Sequence, residues 1–271
     1  MRIGIFDSGL GGLYIFRQLL KKFPQYDYVY LGDNARVPYG GRSPELIYQF
    51  TREAVEFLFE KDCQLIILAC NTASAIALRR LQQEYLPNTY QDRRILGVII
   101  PTVEKVIDRG VKNVGVIGTR ATVNSDSYLI ELKKLNPGVN VFQQECPLLV
   151  PLIEEGEVAW EGLDLLIKKY LKKLPVEKLN SLILACTHYG LIAEQIEKNL
   201  PTSVKVISQN EVVAEKLKEY FLRHPEIEKK LTKNAQRTYY VTDLSQKYEN
   251  LVKLFLGKEF EDEEKIMLVK I

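Results

Sequence analysis

The chain has 271 residues, enough for two modest domains or one large one. Its 46% hydrophobic and 27% charged residues are ordinary for a globular protein, and a formal net charge of +2 gives no electrostatic reason to expect nucleic acid or an anionic membrane as a partner. No apolar run approaches the roughly 18 residues that span a bilayer. Met1-Arg2-Ile3-Gly4-Ile5-Phe6-Asp7 enters a strand-like run without the pattern of a signal peptide, so the cytoplasm is the expected compartment. Four cysteines, Cys63, Cys70, Cys146 and Cys186, contain no C-x-x-C pair and are too sparse for a disulfide framework. The histidines are His188 and His224, and no spacing supports a metal site.

Strand-like runs recur at 2–6, 28–31, 65–69, 95–99, 113–117, 139–142, 182–185, 204–207 and 237–241, the last being the one strand expected in the charged final sixty residues. Helical spacing fills most of the intervals. Ser43-Pro44-Glu45 is a helix start, with an N-cap, a proline at the first position and an early acid. The helix it opens should place Leu46, Ile47, Phe50, Ala54, Phe57 and Leu58 on one stripe. Alternating strand and helix predicts an α/β protein with parallel sheets covered on both faces.

Asp7-Ser8-Gly9-Leu10-Gly11-Gly12 follows the first strand directly, and its glycines leave backbone N–H groups open to a carboxylate or phosphate. It is not the dinucleotide fingerprint, because Tyr14 stands where the third glycine belongs, and no G-x-x-x-x-G-K-[ST] occurs. Asp7 alone could be a helix N-cap. The stretch from Gly32 to Arg42, carrying Pro38-Tyr39-Gly40-Gly41, is a loop between a strand and a capped helix.

Ile67-Leu68-Ala69-Cys70-Asn71-Thr72 has a near copy at Ile183-Leu184-Ala185-Cys186-Thr187-His188. Each cysteine follows an apolar run read as a buried parallel strand, at the end where open α/β sheets bind ligands. One such cysteine is usually a small buried hydrophobe. Two in equivalent places suggest a cleft offering a thiol to each face of one small molecule, the arrangement needed to remove a proton from one side of a carbon and return it to the other. A helix start after each cysteine should lower its pKa. His188 stands close enough to orient or polarise Cys186 or to bind substrate, while Asn71, Thr72 and Thr187 supply uncharged donors suited to an amino acid. Cys63, expected just before its strand, and Cys146 lack this context and read as structural. No lysine lies in these blocks, so a Schiff-base cofactor has no candidate there. Placing the two cysteines in different domains divides the chain into 1–95 plus 208–271 and 96–207.

Phe6-Asp7-Ser8-Gly9-Leu10-Gly11-Gly12, Pro38-Tyr39-Gly40, Ala69-Cys70-Asn71-Thr72-Ala73, Gly118-Thr119-x-x-Thr122, Cys146-Pro147-x-x-Val150-Pro151-Leu152-x-Glu154 and Ala185-Cys186-Thr187-His188-Tyr189, in this order, resemble the glutamate racemases. The resemblance implies two similar α/β domains facing across a pseudo-symmetric cleft. It also implies interconversion of L- and D-glutamate without cofactor or metal, supply of D-glutamate for peptidoglycan, and a homodimer. By position, Cys70 and Cys186 would be the acid/base pair, Asp7 would assist Cys70, and Glu154 and His188 would assist Cys186. Asp7, Ser8, Tyr39, Gly40, Asn71, Thr72, Thr187 and His188 would hold the substrate. Two departures stand out: Gly190 replaces the usual proline, and Ser208-Gln209-Asn210 stands where an Asp-Ser pair is usual. Aspartate racemisation, thiol redox chemistry and simple amino-acid binding are the competing readings. Disulfide exchange needs sulfurs within bonding distance, whereas a racemase keeps them apart.

Overall fold

The structure, a computed structural model, describes residues 1–245, 251–252, 255–256 and 266–271. Ten strands are described: β1 (Arg2–Asp7), β2 (Tyr28–Gly32), β3 (Cys63–Leu68), β4 (Arg94–Gly97), β5 (Asn113–Gly118), β6 (Asn140–Glu145), β7 (Ser181–Ala185), β8 (Lys205–Ile207), β9 (Arg237–Val241) and β10 (Ile266–Leu268). They form two parallel sheets, one ordered β10-β9-β2-β1-β3-β4 and the other β6-β5-β7-β8. Apolar runs become central strands because both sheet faces are covered: every residue of β2, β3 and β7 is buried.

Both sheets share one wiring. In the first, β1 pairs with β2 on one side and β3 on the other; in the second, β5 pairs with β6 and β7. Each therefore has a switch point, between β1 and β3 and between β5 and β7, where loops diverge and leave a crevice at the strands' carboxyl ends. Cys70 lies just beyond β3 and Cys186 just beyond β7. The α/β architecture with two parallel sheets is the one expected.

Some local expectations need correction. Cys63 does not precede its strand but opens β3, fully buried. The run 95–99 is strand only to Gly97, and Ile99 begins a helix, Ile99–Ile107, that tolerates Pro101 in its first turn, where no intrahelical bond is lost. The helix α2 after Ser43, Pro44–Glu60, buries Ile47, Thr51, Ala54, Val55 and Leu58, leaving Phe50 and Phe57 at the flank. Its stripe is rotated to include Thr51, whose buried hydroxyl is satisfied by the Ile47 carbonyl at 2.7 Å. A second C-terminal strand, β10, also exists, parallel to β9 at the sheet edge. The helix expected after β9 falls largely outside the described residues, although 251–252 and 255–256 are helical.

The helix α1 (Gly12–Lys22) buries Leu13, Ile15, Phe16, Leu19 and Leu20 and rests on the segment after Cys186. A Cβ on Gly190 would lie 2.6 Å from the Tyr14 ring, so the missing side chain makes room for that ring. The family's usual proline is incompatible with Tyr14 as placed. Gly190→Ala should therefore cost about 1–3 kcal/mol of stability through overpacking. In a Tyr14→Ala background the same substitution should cost at least about 1 kcal/mol less, measured by urea unfolding of the four proteins of the cycle. Equal costs in both backgrounds would refute the packing account.

Candidate active site

The two switch points face one cavity of about 130 Å³, lined by Ser8, Tyr39, Gly40, Cys70, Asn71, Thr72, Cys186, Thr187 and His188 among others. That volume suits a small metabolite and falls below the size of drug-like sites. The structure thus brings the expected substrate-binding positions other than Asp7 to the cavity wall, and Asp7 lies one bond behind it. Cys146 and Pro147 also line the cavity, although Cys146 was read as purely structural. All four cysteines are free thiols.

On the first side, Cys70 is the N-cap of α3 (Asn71–Ile76), and its Sγ accepts from the Ala73 N–H at 3.5 Å. The Ser8 hydroxyl lies 3.3 Å from the same sulfur. The expected lowering of the thiol pKa is not what the surroundings produce. Burial, with the Asp7 carboxylate nearby, pushes the Cys70 thiol up to about 12 against the pull of those two hydrogen bonds. A six-residue helix has too little dipole to offset complete desolvation.

Asp7 closes β1 and is fully buried. Its Oδ2 accepts from the Gly9 N–H at 3.0 Å, and its Oδ1 accepts from the Thr187 hydroxyl at 3.3 Å. Burial raises its pKa, opposed by the charge of His188 and by hydrogen bonds from Gly9, Gly12 and Thr187. Asp7 therefore acts on Cys70 through its field, while its hydrogen bond crosses to the Cys186 side. The hydroxyl of Ser8 is what touches Cys70.

On the second side, Cys186 precedes the 3-10 helix Thr187–Ile192 without capping it. Its Sγ lies 3.8 Å from His188 Nδ1, and His188 Nε2 lies 3.1 Å from Glu154 Oε1. Burial opposes the charged imidazole, but the hydrogen bonds to Cys186 and Glu154 prevail and hold the His188 pKa well above its ordinary value. Glu154 ends the helix Leu149–Glu154 after β6 and reaches Cys186 only through His188. Phe255 meets the imidazole edge-on at 6.2 Å between centroids. His224 is away from the cavity, half-exposed beside Tyr220 and Glu226.

Tyr39 and Asn71 line the cavity with the Tyr39 hydroxyl and all but one N–H of the Asn71 carboxamide already engaged. The Tyr39 hydroxyl donates to the buried Asp33 carboxylate, which also binds Arg36 at 2.6 Å and the Thr242 hydroxyl at 2.9 Å. Tyr39 thus offers the cleft its ring and backbone. A Cβ on Gly40 would lie 2.5 Å from Thr119 Cβ, so the loop after β2 meets the segment after β5 backbone to side chain. Thr119, not singled out for a role from the sequence, bonds Thr72 at 3.0 Å across the cleft and caps the helix Arg120–Asn124. The T-x-x-T spacing after a strand was the signal available for it. Among the described residues, no group of three or more His, Cys, Asp or Glu is placed to hold a metal ion.

The family model for Asp/Glu/hydantoin racemases matches residues 13–217. The chain belongs to this racemase family. It is 41% identical over 263 residues to the glutamate racemase of Aquifex aeolicus, covering 96% of each chain. The crystal structure of the Francisella tularensis glutamate racemase in complex with D-glutamate superposes with a TM-score of 0.88 at 34% identity, covering 99% of this chain and 97% of that one. An aspartate racemase homologue from Pyrococcus horikoshii shares the fold, with a TM-score of 0.57 and 22% identity over 81% of this chain and 98% of its own.

Within this racemase, Cys70 in the unliganded protein should be a thiol at neutral pH. Its alkylation by iodoacetamide, followed by mass spectrometry, should keep rising about tenfold per pH unit past pH 9, where a free thiol of pKa about 8.5 has levelled off. Burial scales the absolute rate, so the pH of the plateau is the readout. A plateau near or below 8.5 would overturn the assignment.

Proposed function

We propose that this racemase interconverts L- and D-glutamate by passing the α-proton between Cys70 and Cys186. The observation that carries the reading is the pair of buried thiols at equivalent switch points of two like-wired sheets, both lining one cavity sized for a small metabolite. Glutamate is favoured over aspartate by relatives named glutamate racemase that match nearly the whole chain at 38–41% identity. We keep the division into 1–95 plus 208–271 and 96–207 as our reading, with the first sheet running two residues past its first boundary, since Leu96 and Gly97 of β4 pair with β3. We assign the protein to the cytoplasm, as a homodimer that supplies D-glutamate for peptidoglycan.

In this mechanism one sulfur is the thiolate base and the other the thiol acid, and the roles exchange with substrate handedness. The α-proton is weakly acidic, so the carbanion-like transition state needs donors aimed at the substrate carboxylate. In this reading Ser8, Thr72 and the backbone of Tyr39-Gly40 supply them, because the one proton of the Thr187 hydroxyl goes to Asp7. The substrate ammonium brings a positive charge into the buried cleft and lowers the cost of a thiolate at Cys70. On the other side His188, held charged by Glu154, serves Cys186 in the same way.

Incubation of L-glutamate and of D-glutamate in D2O, with α-exchange read by NMR, tests the reading, with aspartate as the competing substrate. Cys70→Ala and Cys186→Ala should each abolish racemisation in both directions with the fold intact, and serine should rescue neither, since a hydroxyl is too weak an acid. Near-normal turnover by either variant would sink the two-thiol mechanism. Exchange without racemisation would leave a one-base enzyme.

Asp7→Asn and His188→Asn should change kcat unequally for the two enantiomers, with opposite bias, because each group serves a different sulfur. Since the equilibrium constant between enantiomers is near unity, kcat/KM must fall equally in both directions, and the asymmetry can reside only in kcat and KM separately. Initial rates from each pure enantiomer decide this. Symmetric effects from both variants would remove the assignment of one helper to each face.

A further inference from the structure

Asn71 follows Cys70 directly, and its carboxamide belongs to a closed buried ring. Its Nδ2–H donates to Gln209 Oε1 at 2.6 Å, and Gln209 Nε2–H donates back to Asn71 Oδ1 at 2.6 Å. The Tyr128 hydroxyl donates to the same Oδ1 at 2.7 Å, and Gln209 Nε2–H also donates to the Tyr128 oxygen. The three side chains are 2%, 0% and 3% exposed for Asn71, Tyr128 and Gln209. Asn71 therefore has both lone pairs of its carbonyl oxygen engaged and one side-chain N–H left over. Its amide cannot turn into the cleft without breaking three bonds in a dry site, where each unmade bond costs about 1–3 kcal/mol.

The ring joins three parts of the molecule. Asn71 opens α3 on the first sheet, and Tyr128 stands on the helix Ser127–Leu135 and packs with Val114, Val116 and Ile183 of the second sheet. Gln209 opens the helix Gln209–Arg223, which carries the chain from β8 back onto α1. This glutamine lies in the segment that departs from the family's usual Asp-Ser pair. A serine lacks the length and the second N–H donor for this double contact, and an aspartate has no N–H at all.

We infer that Gln209 is a positioning residue for the proton transfer. By holding the Asn71 carboxamide against Tyr128, it fixes the Cys70–Asn71 peptide, and with it the aim of Cys70 Sγ relative to the half that carries Cys186. The inference rests on the two-thiol reading and refines it: the Asn71 side chain orients the first thiol, and only its remaining N–H and its backbone are left for the substrate.

The test uses the full chain with Gln209→Met, which keeps length and apolar bulk but loses every bond of the ring that involves residue 209. The primary α-deuterium isotope effect on kcat is the decisive readout, because misplacement of a reacting group is felt at the proton-transfer step. In both directions kcat should fall by about 10- to 100-fold, KM should stay within about threefold, and the isotope effect should rise. Tyr128→Phe keeps the reciprocal amide pair and should lose less than about tenfold, with a smaller rise in the isotope effect. A purely structural role would lower the melting temperature while kcat per active site and the isotope effect stay unchanged, and that result overturns the inference. So does unaltered kcat in Gln209→Met. If Gln209→Met fails to fold, Tyr128→Phe and Gln209→Asn are judged by the same isotope effect. A wild-type chain that leaves the α-proton of glutamate in place would instead reject the parent reading, so the two failures are distinguishable.

Discussion

Desolvation governs this site. Asp7, Cys70, Cys186 and His188 are each at most 7% exposed; the last three line one cavity and Asp7 lies behind its wall. A charge in such a place exists only where a partner compensates it. Each group's state follows from what it has been given. Asp7 has backbone N–H groups, the Thr187 hydroxyl and the field of His188; His188 has Glu154; Cys70 has a hydroxyl and one N–H, too little to hold a thiolate. The compensation Cys70 lacks is a cation, and the ammonium of an amino acid is one. In the proposed mechanism chemistry and recognition are thereby linked, since the ligand that needs a base is also what makes a base tolerable.

The second organising fact is topological. Both sheets branch in the same way, so the β1/β3 and β5/β7 crevices are built alike and meet face to face. Similar wiring does not make equal environments. Cys70 caps an α-helix and sits beside an acid, whereas Cys186 leads into a 3-10 helix and sits beside an imidazole. The loops after the flanking strands diverge too, as β2 delivers Tyr39 and Gly40 while β6 delivers Pro147 and, farther on, Glu154. Pseudo-symmetry supplies opposed thiols, and the unequal neighbours distinguish the two faces.

Much of this was readable from residues. The apolar runs of central strands announce themselves because burial on both faces leaves no alternation to decipher, and the repeated Ala-Cys-small-polar pattern marks two equivalent strand ends. What stayed hidden depends on contacts between distant segments. Nothing local to Gln209 or Tyr128 states that their side chains converge on Asn71, nor that Tyr39 turns its hydroxyl to Asp33. The direction of the Cys70 shift was missed because a helix start is visible in sequence and the degree of burial is not. The edge strand β10 was missed because three residues in a charged tail carry no periodicity, and β9 supplies what they lack.

The close approach of Gly40 to Thr119 bears on which substrates can fit. A backbone resting on a side chain, with no Cβ between them, is a closer spacing than any residue other than glycine allows here. Any larger residue at position 40 would act as a shim, propping the two halves apart at that end of the cavity by roughly the thickness of a methyl group. The gauge of the cleft is thus set partly by an atom that is missing.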